Sequence, residues 1–316
     1  MTVFTVLWLF GFNSDGTLNA GFSVPLLAAL CWVSIAGAVI SHNHNHVPIF
    51  RKRWANLTVG CVISFFYGFP AFCWIPTHNQ NHHPLNNRPG DYSITTRPLR
   101  RVGPLGALLY PSVTSLTQAR LILPFLRRCR DGNRPLFRRA LIEYAVFYAV
   151  MTALFVIDWR KALLFAVLPQ QFGMFFIQHI NYLQHIETNA DSAYGHSRNF
   201  TGRLLNLFLF NNGYHTVHHQ KPGLHWSLTP GAHAEIADRI PPDLLVEKFP
   251  RFWFRRFVVD PLLRRPPRHM TLPAALSPDT LSVTEQGKAQ LAQAYRLRGL
   301  APVPSSASTV AASLAE

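Results

Sequence analysis

Four long apolar runs decide what this chain can fold into. Gly21 to Ile40 is 20 uncharged residues, about the length that crosses a hydrocarbon core. Trp54 to Ile75 is a second uncharged run of 22 residues. Ala140 to Ile157 and Ala162 to Ile180 are a third and fourth, joined by the polar turn Asp158-Trp159-Arg160-Lys161 and carrying one acid, Glu143. This last pair reads as a helical hairpin that crosses twice. The expected fold class is therefore all-α, an integral-membrane helical bundle. Met1 to Phe12 is apolar but short, either a partial crossing or an interfacial anchor. No Lys or Arg precedes Arg51, which argues against a secretory signal with its basic leading region.

Charge placement gives an orientation. The 316 residues carry 30 Lys and Arg against 15 Asp and Glu, a net charge of +15 with His neutral, yet charged residues are only 14% of the chain, where soluble domains have about 25%. The basic residues alternate with apolar runs, a pattern that fits a membrane surface and excludes nucleic acid as the partner. Fourteen Lys and Arg lie between Arg51 and Arg139, fourteen from Arg198 onward, and only Arg160 and Lys161 in the hairpin turn. Because cytoplasmic loops are enriched in Lys and Arg, the flanking segments are expected in the cytoplasm and the turn outside. Residues 1–260 read as one membrane-embedded domain, 261–300 as a linker with a short polar helix, and 301–316, rich in Ala, Ser and Pro, as a disordered tail. Cys31, Cys61, Cys73 and Cys129 form no CxxC pair and read as reduced thiols; they cannot make a four-cysteine iron–sulfur cluster.

Fifteen histidines are the anomaly, and they are clustered. His42-Asn43-His44-Asn45-His46 follows the first run. His78-Asn79-Gln80-Asn81-His82-His83 follows the second, and His215-Thr216-Val217-His218-His219 lies in the basic C-terminal part. On an α-helix, residues four apart share a face, so His42 with His46, and His78 with His82, can converge on one ion. His215 pairs with His218 and His219, while His44 points elsewhere. Imidazole suits Zn, Cu, Fe and Ni, and a single ion takes about four ligands, so eight clustered histidines imply two metals in a cytoplasmic histidine-lined lobe. No Asp or Glu occurs from His42 to Pro89, unlike a carboxylate-bridged bundle with its Glu-x-x-His pairs. The asparagines Asn43, Asn45, Asn79, Asn81 and Asn211 are candidates to orient the rings through their second nitrogens. For the first two clusters to meet, Trp54–Ile75 must dip and return or lie along the interface, with Gly60, Gly68 and Pro70 as its breakers. A membrane zinc or copper transporter or sensor is the competing reading, but such a protein places ionisable ligands at mid-membrane depth, where this chain offers only Glu143.

HxxxH, HxxxHH and HxxHH, in this order over residues 20–250, resemble the three histidine boxes of the integral-membrane fatty acid desaturase and hydroxylase superfamily. Gly68-Phe69-Pro70, Trp74, Asn211-Asn212-Gly213-Tyr214 and Pro222-Gly223-Leu224-His225-Trp226 agree with it. So does Asn181-Tyr182-Leu183-Gln184-His185, which is similar to the end of the family's last membrane helix. The resemblance implies His185 as a ninth ligand beside His42, His46, His78, His82, His83, His215, His218 and His219, and Asn181 as a residue that contacts the metal through water. His179 stands as either a core or an outer residue. Two departures are Asn43 where an acid often follows the first histidine, and Gln184 where alkane-hydroxylase relatives carry Glu; the second favours desaturation. The implied cofactors are two non-haem iron ions, with O2 as co-substrate. The implied reaction introduces a double bond into a fatty acyl chain, with hydroxylation of an alkyl, acyl or other lipid as the alternative on the same scaffold. The implied partners are an acyl lipid, acyl-CoA or acyl-carrier-protein substrate and a separate electron donor of ferredoxin, rubredoxin or cytochrome b5 type.

Overall fold

The computed structural model describes residues 1–100 and 102–265. Of the expected linker, polar helix and tail, only residues 261–265 fall within it. The N-terminal helix α1 (Thr2–Phe10) has nine residues, about 14 Å of rise, and is too short to cross a bilayer alone. It packs Phe4 and Leu7 against Leu30, Phe66 and Phe165. The main helix α2 (Ala20–His46) starts at Asn19, whose side-chain oxygen accepts from the Phe22 N–H at 3.4 Å, as a capping asparagine does. Its 27 residues span about 40 Å, so the helix outlasts its apolar run and carries the first histidine cluster on its last turns.

Next come α3 (Arg53–Tyr67) and α4 (Ala71–Leu85), bent by 88° where they meet. Gly68 makes the corner possible: its φ of +89° is left-handed, a conformation that side chains resist, and its N–H closes α3 on the Ser64 carbonyl at 2.9 Å. The expected breaker Gly60, by contrast, lies inside uninterrupted α3; a helix tolerates one interior glycine for about 1 kcal/mol. After α5 (Pro104–Gln118) and α6 (Ile122–Gly132), the hairpin is formed by α7 (Arg134–Lys161) and α8 (Leu168–His185), with a π-helical turn at Ala162–Val167. Asp158 leaves helical geometry (φ −158°, ψ 99°), and its carboxylate accepts from the N–H groups of Arg160 and Lys161 at 3.1 and 3.2 Å, starting the return. Lys161 donates to the Trp8 carbonyl at 2.7 Å, so the turn and α1 share one end of the bundle. Ala20–His46 and Arg134–His185 are long and apolar enough to cross a membrane.

A second close approach joins α2 to α8: a Cβ on Gly173 would stand 2.8 Å from the Ser34 backbone. The core at the opposite end from α1 runs through Val39, Tyr110, Ile180, Leu183 and Phe200, so α8 carries apolar packing almost to His185. The remaining lobe consists of α9 (Arg203–Phe208), α10 (His215–Gln220), α11 (Thr229–Ala234) and α12 (Phe249–Phe254). It includes a minimal parallel pair, β1 (Asn199–Phe200) with β2 (Leu245–Val246).

Candidate metal centre

The three clusters and His185 meet in two groups. His42, His46, His78, His83 and His218 form one; His82, His185, His215 and His219 form the other; within each group the nitrogens lie within 4.8 Å of one another. The split differs from α-helical spacing. His78 is grouped with His83 rather than with His82, because Ile75–His82 is π-helical and the His83 N–H bonds the His78 carbonyl five residues back. At five residues per closure, i and i+5 share a face, and His82 turns to the second group. On α10, which is α-helical, His215 does pair with His219, and His218 goes to the first group.

In the first group the Nε2 atoms of His42, His78 and His218 form a triangle with edges of 2.8, 3.1 and 3.3 Å. His83 Nε2 stands 3.1 Å from His78 Nε2 and 3.0 Å from His218 Nε2. In the second, His185 Nε2 lies 3.1 Å from His82 and 2.9 Å from His215, and His219 lies 3.1 Å from His215. Hydrogen bonds cannot close such a triangle: a neutral imidazole Nε2 carries either one proton or one lone pair. Nitrogens held about 2.0–2.1 Å from one ion, however, are about 3.3 Å apart. The donor set therefore fits one metal ion per group. Burial and the neighbouring imidazoles hold His215, His218 and His219 well below the usual histidine range, so near neutral pH they present lone pairs. Among the nine, only His218 is not fully buried.

Among the described residues, the carboxylate bonded to a ring of the centre is Asp91, two residues beyond the acid-free stretch. Its Oδ2 takes a 2.8 Å contact from His82 Nδ1 and accepts from the Asn87 N–H at 2.8 Å, while Oδ1 accepts from the N–H and Oγ of Ser93. Burial acts to raise the Asp91 pKa, but His82 and these donors together hold it below the usual carboxylate value. Left-handed Asn86 and Asn87 turn the chain back over the second cluster and deliver Asp91 to the far nitrogen of His82. The sequence signal for this is the turn Asn86-Asn87-Arg88-Pro89-Gly90-Asp91 immediately after the second cluster.

Four of the five asparagines expected to orient the rings, Asn45, Asn79, Asn81 and Asn211, donate to backbone carbonyls instead. Asn45 donates to the carbonyls of Ser41 and Ala71, Asn79 to that of Asn45, Asn81 to that of Gly90, and Asn211 to that of Trp226. Asn45 also accepts from Arg139 at 2.9 Å. Arg139 pairs with buried Glu143 at 2.7 Å, and the other Glu143 oxygen accepts from the Phe72 N–H at 2.7 Å. One carboxylate thus fastens α7 to the first turn of α4, and through Arg139 to the first cluster. Thr216 of α10 donates its N–H to the Asn199 side-chain oxygen and shares its hydroxyl with Ser197, which fixes the third cluster from outside.

Asn181 donates to the Tyr110 hydroxyl at 2.9 Å, which donates to the Ser93 carbonyl at 2.6 Å. It lines a small chamber beside His42, His78 and His215. His179 stands apart: its Nδ1 bonds the Ala107 carbonyl, and its Nε2 accepts from Trp253. His44, in neither group, accepts from the Ile49 N–H at 3.4 Å. Reading by clusters overlooked His196, a fully buried ring 5.5 Å from that of His219, with its pKa lowered to about 3 chiefly by burial. The four cysteines are free and spread over α2, α3, α4 and α6.

Residues 16–267 match the fatty acid desaturase family. The chain belongs to that family. No curated protein and no solved structure shows significant similarity to it. As a fatty acid desaturase family member it is an oxidoreductase of the desaturase and hydroxylase type, associated with membranes and acting on lipid, and its buried histidine groups are suited to metal ions.

Proposed function

We propose that the chain is an O2-dependent di-iron membrane enzyme that introduces a double bond into a fatty acyl chain. The observation that carries this reading is the pair of all-imidazole groups, five histidines and four, buried side by side with family membership over the same residues. We assign His42, His46, His78, His83 and His218 to one iron, and His82, His185, His215 and His219 to the other. Asn181 stands at the chamber as a partner acting through water. Bound there, two irons would supply the activation of O2 and the removal of hydrogen from an unactivated C–H bond. The polypeptide does the rest. Asp91 keeps the His82 ring in one orientation with Nε2 free for the metal, the Glu143–Arg139 pair holds the two helical clusters in register, and burial keeps bulk water from the centre.

Gln184 supports desaturation over hydroxylation. It replaces the Glu of hydroxylase relatives, and its amide is held by donating to the Asn212 carbonyl at 2.8 Å. Electrons come from a separate donor, since the four cysteines are dispersed. The histidine groups face the cytoplasm of a bacterial inner membrane, in keeping with the basic flanks. Iron per purified chain and mass spectrometry of cellular lipids with and without the protein test the assignment. Two irons and a new unsaturated species are expected; one zinc and an unchanged lipid profile would overturn it.

A further inference from the structure

Arg198 is a cation only 4% exposed, and one edge of it is already used. Its Nη1 donates to the carbonyls of Leu183 and Ile186 at 2.7 and 3.1 Å, on either side of His185. The guanidinium also lies over the Phe252 ring, 4.8 Å from the centroid. The second edge is idle. Buried Nε has no partner among the described residues, and Nη2 forms no hydrogen bond among them either. Nε and Nη2 together make the planar fork that fits two oxygens of a carboxylate or phosphate, and a buried donor left unsatisfied is costly. Burial lowers the Arg198 pKa to about 10, so the group is charged at neutral pH.

Arg198 lines a cavity of about 310 Å³, within the range of small-molecule sites. This cavity shares no lining residue with the chamber beside the histidines. Exposed Lys248 and Arg251 stand on its wall. Acids line it as well. Glu187 accepts from both Nε and Nη2 of Arg256, and Asp260 lies 3.8 and 3.6 Å from Arg255 and Arg265. Asp243 and Glu247 complete the set. Their charge disfavours a ligand with several negative charges and favours one that carries a cation beside its anion. Trp253, Phe254, Leu262 and Leu263, neighbours of lining residues in the chain, are exposed, and tryptophan is enriched where a membrane meets water.

We propose that this cavity binds a phosphate ester bearing an ammonium group, as in the head group of an ethanolamine phospholipid, with the phosphate on the Nε–Nη2 fork of Arg198. Arg251 and Lys248 support the phosphate from the rim, and Glu247 receives the ammonium. The occupant is a resident lipid, distinct from the molecule oxidised, and the site stands whether or not the histidines hold iron. It braces the end of α8, because the guanidinium that takes the phosphate also holds the carbonyls flanking His185. The same chemistry occurs in solution as O-phosphoethanolamine.

The test uses the full chain in detergent. Native mass spectrometry counts dioleoyl phosphatidylethanolamine bound per chain, and calorimetry follows titration with O-phosphoethanolamine. At least one of them is expected to bind at one molecule per chain. Binding of the lipid alone identifies a membrane source, and displacement of the lipid by the soluble compound identifies a source in solution. Arg251→Ala, at an exposed position, should weaken binding about tenfold, as loss of a charge-assisted hydrogen bond does. Arg198→Lys keeps the charge, removes the fork and should weaken it further. Arg127→Ala removes an exposed charge from α6 and should bind as the unaltered chain does. The proposal is overturned if neither probe binds, if Arg251→Ala binds normally, or if Arg127→Ala loses as much, since equal losses would mean general attraction to a basic surface.

Discussion

At the residue scale, the nine assigned histidines should divide sharply from the side chains that support them. His82→Ala or His218→Ala removes one nitrogen from a group of four or five and should release metal and abolish turnover, with membrane insertion intact. Iron retained at two per chain after His82→Ala would contradict the shared centre. Asp91→Asn keeps the shape of the Asp91 side chain but removes its charge and one acceptor. Loss of such a partner costs about 10- to 100-fold in metal affinity or activity, so the variant should bind iron more weakly and still turn over. The same logic separates His185 from Asn181. His185→Ala should lose iron outright, whereas Asn181→Ala should keep most of it and turn over slowly. Comparing iron content with rate in the two variants checks both roles at once, and an unchanged His185→Ala protein would reduce the centre to eight histidines.

At the element scale, the hairpin and the clustered histidines were legible in the sequence because both follow from one-dimensional pattern: uncharged length in the first case, repeated residue type in the second. The grouping of the histidines was not legible. It depends on α4 being π-helical, which moves the partner of His78 from position 82 to position 83, and no spacing rule anticipates a π-turn. Asp91 was missed for a related reason, since two left-handed asparagines bring it back against a helix that the chain has already left. Glu143 was visible as the one acid in the apolar runs, but its role lies in three dimensions. It joins α7 to the Phe72 N–H and, through Arg139, to Asn45 between two histidines. Glu143→Leu leaves Arg139 with Asn45 alone and frees the buried Phe72 N–H, and a buried donor left unsatisfied costs about 1–3 kcal/mol. Its melting temperature should fall markedly, with iron content falling alongside it, while Glu143→Gln, which still accepts from Phe72, should lose less. Equal losses in the two variants would mean that the charge contributes nothing to the corner.

At the scale of the whole molecule, the centre is a store of uncharged imidazole that acid should undo. His215, His218 and His219 lie well below 6.5, and His196 at about 3, because the folded chain buries them. The unfolded chain therefore takes up protons first as pH falls, so stability is greatest above 6.5 and declines from there toward 3. Thermal melts of metal-free protein should show a falling midpoint across that window, and a flat profile would mean that these rings are not buried neutral. Electrons must reach the buried centre from outside, and the chain carries +15 in net charge. An acidic carrier is then drawn in by the long-range field, an attraction that weakens steeply as salt shortens the Debye length from about 30 Å at 0.01 M to about 8 Å at 0.15 M. Turnover driven by a ferredoxin-type donor should therefore slow several-fold over that range, whereas reduction by a small neutral mediator should not change. If the two rates respond to salt alike, the positive charge serves the lipid surface alone and the donor recognises something other than charge.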